Sequence, residues 1–194
     1  MIIVAGHGRC GSSLTMQMLH KCGLVCAGKF PSFEPGEVMP GSRIDIRWLK
    51  QFEAVKMVDP QYLDLPPGLS TKVIWLDRNP ADQAASMLKF AEMIMGIPFQ
   101  EKDISTVADS LPKDREKALA KFDGLDIHFT SFERAINDTH AFAVDIWRFL
   151  LDEYGDRLQI DDMVECVLPR KNGAATEPGL DIELQLIALT KGVK

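Results

Sequence analysis

The start of the chain constrains the fold more than any other segment, because an apolar run, a glycine-rich loop and an amphipathic segment follow one another there. Residues 2–5 are Ile-Ile-Val-Ala, and residues 6–13 are Gly-His-Gly-Arg-Cys-Gly-Ser-Ser. Beyond the loop, apolar side chains recur every fourth residue at Leu14, Met18 and Cys22, which is the spacing of one helix face. This order predicts a buried strand, a tight loop and a helix that begins at the two serines that close the loop.

The loop itself has features of an anion-binding site. Gly6 and Gly11 have the spacing of the two glycines in a nucleotide-binding P-loop, in which a lysine follows the second glycine. Here Ser12 occupies the lysine position, and a basic residue lies earlier in the loop, at Arg9. Backbone N–H groups and the helix dipole attract anions at a helix N-terminus even without that lysine. The loop therefore predicts a site for a phosphate-like group that is held differently from the terminal phosphates of ATP.

Composition restricts the class of protein only moderately. The chain has 194 residues, of which 46% are hydrophobic, so we expect one domain that spans residues 1–194. Its net charge of −6 disfavours a nucleic-acid-binding surface and requires a local basic cluster for any anionic ligand. The four cysteines lack the spacing of a disulfide framework and no signal-like segment opens the sequence, which predicts a cytoplasmic protein. No apolar run approaches the roughly 18 residues of a membrane span.

Further along the chain, short apolar runs alternate with helical patterns. The sequence predicts strands at 54–58, 72–76 and 126–130 with a short one near 164–168, and helices at 80–95, 110–122, 139–154 and from 181 onward. Strands that alternate with helices form a parallel sheet covered on both faces. We therefore predict an α/β fold with three layers, α/β/α, and a central parallel sheet of the P-loop nucleotide-binding type. Ligands of such folds bind at the carboxyl ends of the strands.

A second candidate site follows the strand at 72–76. Asp77 and Arg78 come directly after it, and Asn79 is a typical N-cap with Pro80 at the first helical position. An apolar strand that ends in an aspartate is also typical of a Walker-B strand, which together with a P-loop would indicate a kinase or another NTPase. The missing P-loop lysine weakens that interpretation.

The segment at 72–90 as a whole resembles the 3′-phosphate-binding segment of sulfotransferases. In that family a strand is followed by an Arg-(Asp/Asn)-Pro turn and then by a serine on the next helix. Arg78 and Ser86 occupy the corresponding positions here.

The N-terminal loop is similar to the 5′-phosphosulfate loop of the same family, G-x-P-R-S-G-T-T. Gly6, Arg9 and Gly11 match that pattern, and the two serines that follow keep the hydroxyl groups of the threonine pair. Gly8 and Cys10 depart from it, because they replace proline and serine.

Two weaker matches extend the resemblance along the chain. Lys56 and Pro60 fit the family's Lys-x-His-x-Pro segment at a strand end, although Val58 replaces the histidine. Arg170 and Lys171 resemble its C-terminal Arg-Lys-Gly segment, with one extra residue before the glycine.

The resemblance implies an enzyme that transfers a sulfuryl group in line from 3′-phosphoadenosine 5′-phosphosulfate (PAPS) to an acceptor hydroxyl or amine, without a metal. The implied cofactor-binding residues are Gly8, Arg9, Cys10, Gly11, Ser12, Ser13, Arg78, Ser86, Arg170 and Lys171. Arg9 and Lys56 are expected to stabilise the negative charge that develops during transfer. Glu34 is expected to act as the general base that takes the proton of the acceptor, with Asp59 and His7 as alternative bases. The acceptor is expected to be a small molecule, a carbohydrate or a peptide, and not a nucleic acid.

Two other functions stay open from the residues alone. One is a P-loop kinase that acts on a nucleotide or a small metabolite, for which a magnesium requirement and ATP binding would be diagnostic. The other is a non-catalytic module that binds adenosine bisphosphate and transfers nothing. A zinc site at His20, Cys22 and Cys26 is disfavoured, because a fourth ligand is not evident.

Overall fold

The computed structural model describes residues 1–96 and 98–167. In this part of the chain four strands form one parallel sheet in the order β2-β1-β3-β4. The strands are β1 (Ile2–Gly6), β2 (Ala54–Val58), β3 (Lys72–Asp77) and β4 (Asp126–Ser131). The helices are α1 (Ser12–Lys21), α2 (Ile46–Leu49), α3 (Pro80–Met95), α4 (Glu101–Leu119), α5 (Phe132–Asn137), α6 (Thr139–Tyr154) and α7 (Ile160–Glu165). Single 3₁₀ turns occur at Pro60–Tyr62 and Ala120–Phe122.

The central strand β1 divides the apolar core into two layers. All five of its residues are buried, and it pairs in parallel with β2 and β3 on either side. Because side chains alternate along a strand, Ile2 and Val4 pack with α1, α6 and α7, whereas Ile3 and Ala5 pack with α2 and α4. The predicted three-layer α/β/α fold with a central parallel sheet is thereby confirmed.

The ends of α3 follow directly from its sequence. The Asn79 side chain accepts hydrogen bonds from the backbone N–H groups of Ala81 and Asp82, at 3.0 and 3.2 Å, and Pro80 occupies the first helical position. At the other end Gly96 adopts φ +69°, a left-handed conformation that a glycine adopts without strain. The predicted bounds of this helix are confirmed.

Two predicted elements are wrong in position or type. Helix α4 begins at Glu101 rather than near residue 110, with Pro112 inside it. The predicted strand near 164–168 is wrong, because residues 164 and 165 form the end of α7 and residues 166 and 167 follow the helix as a turn. Met163, just before them, is buried, and Val164 packs against the core. A short apolar run is compatible with a buried helix as well as with a strand, so hydrophobic periodicity alone does not distinguish the two elements. The predicted helix from 181 lies outside the described residues.

The parallel arrangement places the functional loops together. The carboxyl ends of β1 to β4 share one edge of the sheet, called here the carboxyl edge, because Gly6 is in register with Val58 and Leu76, and Leu76 with Thr130. The glycine-rich loop therefore lies between the segments that follow β2 and β3. Among the helices of the described ranges, none has the length and apolar character needed to cross a membrane.

Candidate functional site

The glycine-rich loop is shaped by close packing at its two outer glycines. A β-carbon at Gly6 would lie 2.6 Å from the carbonyl oxygen of Leu76 and 2.6 Å from Cys10 Sγ. At Gly11, which has φ +94°, a β-carbon would lie 2.7 Å from Phe132 Cδ2. All three distances are far inside van der Waals contact, so the loop follows this path only with glycine at these positions.

The loop ends at a helix terminus with donors suited to an anion. Gly11 is the N-cap of α1, and no described side chain caps the helix or adds a negative charge to its first turn. The first-turn N–H groups and the helix dipole therefore point toward the carboxyl edge, with no acidic residue in that turn. Ser12 and Ser13 begin the helix and add hydroxyl groups. This donor set fits a phosphate or phosphosulfate group.

Two arginines and a serine from distant segments converge on this loop. Arg9 adopts φ +66°, and its Nε donates a hydrogen bond to Ser86 Oγ at 3.2 Å. The Nη1 of Arg78 donates to the backbone oxygen of Arg9 at 2.8 Å. The two guanidinium groups lie over aromatic rings, Arg9 4.9 Å from the centroid of Phe90 and Arg78 4.4 Å from that of Phe132. The structure thus joins the two predicted anion sites in one cluster of positive charge.

Gln83 supports the loop in a way that the sequence analysis missed. Its Nε2 donates to the backbone oxygens of Gly8 at 2.8 Å and His7 at 3.3 Å, and the side chain is buried. Gln83, Ser86 and Phe90 have the spacing of one helix face, and all three contact the loop. The sequence spacing could have indicated this role. Gln83 lies three residues before Ser86, so it is on the same helix face, one turn closer to the start of α3.

Lys56, Ser13 and Glu34 form a second polar cluster at the start of α1. Lys56 lies on β2 and is only 3% exposed. Its Nζ donates to Ser13 Oγ at 3.1 Å and to Glu34 Oε1 at 2.7 Å. Burial lowers the pKa of Lys56 below the ordinary 10.5, and the Glu34 carboxylate opposes that shift. The Glu34 side chain is 61% exposed, so the ion pair has one buried partner, Lys56, and one partner at the surface.

The loop that carries Glu34 is held against α1 by backbone contacts. Ser13 Oγ donates to the carbonyl oxygen of Ser32 at 3.2 Å, and the buried Gln17 Nε2 donates to that of Pro31 at 3.0 Å. Phe33 adopts φ +54° and is buried, which anchors the residue before Glu34 in the core. The backbone position of Glu34 is therefore set by the fold.

The alternative bases, Asp59 and His7, form a pair of their own. His7 Nδ1 and Asp59 Oδ1 lie 3.0 Å apart, and Asp59 adopts φ +51° directly after β2. The imidazole is 5% exposed and meets Trp75 edge-on at 5.8 Å between ring centroids. Of the three candidate bases, Glu34 is the most open to solvent, whereas His7 is enclosed.

Asp77 is engaged in a salt bridge. Arg115 Nε and Nη2 donate to its two carboxylate oxygens at 2.7 and 2.9 Å, and Trp75 Nε1 donates to Oδ1 at 2.7 Å. Both carboxylate oxygens thus accept from Arg115 in the geometry of a bidentate salt bridge. This contact favours a structural role for Asp77 over the Walker-B interpretation.

Cys10 has a packing role in the loop. Its side chain is fully buried beneath Gly6, and burial raises the pKa of its thiol to about 11. Cys10 can therefore offer a ligand its backbone but not a reactive thiolate. The other predicted cofactor residues, Arg170 and Lys171, lie outside the described residues.

Comparison with known proteins identifies the fold. No family model matches the sequence, and no curated protein matches it. A solved structure of retinol dehydratase in complex with retinol and PAP has a TM-score of 0.55 and 18% identity, covering 94% of this chain and 69% of that one. Another, with androsterone and the inactive cofactor PAP, has a TM-score of 0.53 and 17% identity over 85% of this chain. Mouse sulfotransferase SULT7A1 complexed with PAP has a TM-score of 0.49 and 12% identity, covering 98% and 80% of the two chains.

The two retinol dehydratase structures share the fold of this chain. The chain covers 62% of the androsterone-bound structure and 69% of the retinol-bound one. Its four-stranded parallel sheet with helices on both faces is of the P-loop type, as in those structures. The resemblance inferred from the loop and from the segment at 72–90 is confirmed at the level of the fold.

Proposed function

We propose that this protein transfers a sulfuryl group from PAPS to an acceptor hydroxyl or amine. The observation that carries the proposal is the convergence of Arg9, Arg78 and Ser86 at the N-terminus of α1, through hydrogen bonds of 3.2 and 2.8 Å. A donor with two separate anionic groups needs two adjoining sets of donors at one edge of the sheet. The binding of PAP by the structurally similar retinol dehydratase supports the same conclusion.

The donor groups divide naturally between the two ends of such a molecule. Arg78, just before α3, and Ser86, almost two turns into it, would hold the 3′-phosphate, because arginine binds phosphate through two parallel hydrogen bonds. The first-turn amides of α1, with Ser12 and Ser13, would hold the 5′-phosphosulfate. Arg9 lies between the two sets and can contact either.

Lys56 and Glu34 are suited to the transfer itself. When bound, PAPS supplies the sulfuryl group, and negative charge then grows on the bridging oxygen of its 5′-phosphate. The Lys56 ammonium is buried beside Ser13, so it can stabilise that charge where water does not screen it. Glu34 extends from the same ammonium into solvent, where it can accept the proton of an arriving hydroxyl.

A thermal-shift experiment tests the cofactor. PAP without magnesium should stabilise the protein by about 2.7 kcal/mol at a hundredfold excess over its dissociation constant. ATP with magnesium should stabilise it far less. The opposite order would replace the proposal with a P-loop kinase. Binding of PAP with no transfer to any acceptor would leave a non-catalytic module.

A further inference from the structure

A cleft of about 390 Å³ opens beside Glu34, the candidate base. It lies between the loop that carries Glu34 and the segment around α2, which contributes Trp48 and Phe52. Its volume is within the ordinary range for small-molecule sites. Because Glu34 lines the cleft, a hydroxyl of a molecule bound there could reach its carboxylate.

One wall of the cleft is held in place before any ligand binds. Gly28 adopts φ +83°, and a β-carbon there would lie 2.7 Å from the backbone carbon of Phe33 and 2.9 Å from the nitrogen of Glu34. The backbone nitrogen of Phe33 also donates to the carbonyl oxygen of Lys29 at 2.8 Å. Ser13 Oγ also donates to the carbonyl oxygen of Ser32, so this wall is held by contacts within the chain.

The opposite wall is aromatic. The rings of Trp48 and Phe52 lie 5.1 Å apart at an angle of 58°, and both side chains are half-buried against the core. Trp48 therefore both packs against the core and lines the cleft. An aromatic face of this kind packs well against a flat or ring-shaped ligand.

The remaining lining is polar and charged. Lys29, Glu34 and Glu37 are exposed and border the cleft, so two carboxylates oppose one ammonium in addition to the buried Lys56. A purely apolar ligand would cover Lys29 and Glu37 without replacing their hydrogen bonds to water, which is costly. An anionic ligand would be repelled by the carboxylates of Glu34 and Glu37, which both line the cleft.

We propose that this cleft binds the acceptor and that the acceptor is a neutral carbohydrate; this inference rests on the proposed function. One face of a sugar ring would pack on Trp48, and its hydroxyls would bond to Glu37 and Lys29. In the transfer, Glu34 takes the proton of one hydroxyl. The oxygen of that hydroxyl forms the new bond to sulfur, and the bridging S–O bond breaks with its electron pair going to the 5′-phosphate of PAP.

Binding can be tested apart from turnover. Saturation-transfer NMR with methyl β-D-glucopyranoside, methyl α-D-mannopyranoside and cellobiose should detect at least one sugar bound at millimolar concentration. Glucuronic acid and 4-nitrophenol should bind more weakly. Trp48→Ala should weaken sugar binding by on the order of tenfold, while Trp48→Phe keeps a ring and stays within about threefold of the wild type.

A matched control variant distinguishes the effect of removing the Glu37 charge at the cleft from the effect of removing a surface carboxylate elsewhere. Glu37→Gln should weaken sugar binding several-fold, whereas Glu116→Gln, an exposed glutamate on α4 away from the cleft, should not change it. PAP affinity should be the same in all four variants, because none of the changed residues lies in the loop or on α3. Thermal unfolding of each variant would exclude loss of the fold.

The outcomes distinguish this inference from the proposed function. Sugar binding that Trp48→Ala weakens supports the carbohydrate cleft, even if no sulfuryl transfer follows. Sulfuryl transfer to 4-nitrophenol or to an amine, with no sugar bound and no effect of Trp48→Ala, would overturn the inference and leave the transferase activity standing. Loss of PAP binding alone would count against the proposed function only.

Discussion

The Nε of Arg9 donates a hydrogen bond to Ser86 Oγ at 3.2 Å, although the two residues lie 77 positions apart. The family resemblance assigns Arg9 to the 5′-phosphosulfate and Ser86 to the 3′-phosphate. Their contact means that the two halves of the site are coupled directly. A phosphate forms stronger, charge-assisted hydrogen bonds than a neutral hydroxyl. A phosphate group of a bound nucleotide can therefore replace Ser86 Oγ as the hydrogen-bond partner of Arg9.

Arg78→Ala should weaken PAP binding by about 1.5–3 kcal/mol, because a charge-assisted pair to the 3′-phosphate is lost. Ser86→Ala should cost less. Isothermal titration calorimetry measures both, and the exposed Arg43→Ala serves as the control. Adenosine 5′-phosphosulfate, which lacks the 3′-phosphate, should lose little affinity in Arg78→Ala. Equal losses for the two ligands would mean that Arg78 acts through its hydrogen bond to the Arg9 carbonyl.

Substitutions at Glu34 and Arg9 should affect different steps. Glu34→Gln should leave PAP affinity nearly intact and lower turnover by on the order of 10²–10⁴-fold, the range expected for a general base. Arg9→Ala should lower turnover more than it weakens PAP, because interactions that strengthen in the transition state act on rate. Both quantities should be measured in the same preparations. Near-normal turnover in Glu34→Gln would transfer the base assignment to Asp59 or His7.

The pH profile should report the buried ammonium of Lys56. Burial lowers the pKa of this residue, so its proton is lost at a lower pH than that of an ordinary lysine, and kcat/KM should fall on the alkaline side below pH 10.5. Lys56→Arg keeps the positive charge throughout this range, so the alkaline fall should disappear at a reduced overall rate. Lys121→Arg, at a site remote from the loop, is the control. An unchanged alkaline limb in Lys56→Arg would assign it to another group.

Gly11→Ala should destabilise the fold more than Gly124→Ala. Both glycines have positive φ, +94° and +77°, and a side chain at either is strained by roughly 1–2 kcal/mol. Only at Gly11 does a β-carbon also meet Phe132, at 2.7 Å; at Gly124 nothing in the described ranges lies within 4 Å. The clash should add about 1–3 kcal/mol to the loss. Urea denaturation measures the difference, and equal losses would show that Phe132 moves aside at no cost.

The sequence alone determined the elements whose signals are local. The apolar run at 2–5, the glycine-rich loop and the helical spacing after it predict β1, the turn and α1, since each depends on neighbouring residues. The bounds of α3 were predictable for the same reason, because Asn79, Pro80 and Gly96 act on the backbone within one turn. Alternation of such elements was enough to predict a parallel sheet and its carboxyl edge.

The tertiary structure alone decided which side chains meet. Lys56 reaches Ser13 and Glu34 only because β2 lies beside β1 and the loop after α1 folds back over the helix, neither of which has a local sequence signal. By sequence alone, Asp77 at the end of an apolar strand is compatible with a metal ligand. In the structure, Arg115 on α4 donates hydrogen bonds to both of its carboxylate oxygens. Contacts between residues far apart in sequence depend on how the layers pack, so they follow from the fold as a whole and not from the pattern at either end.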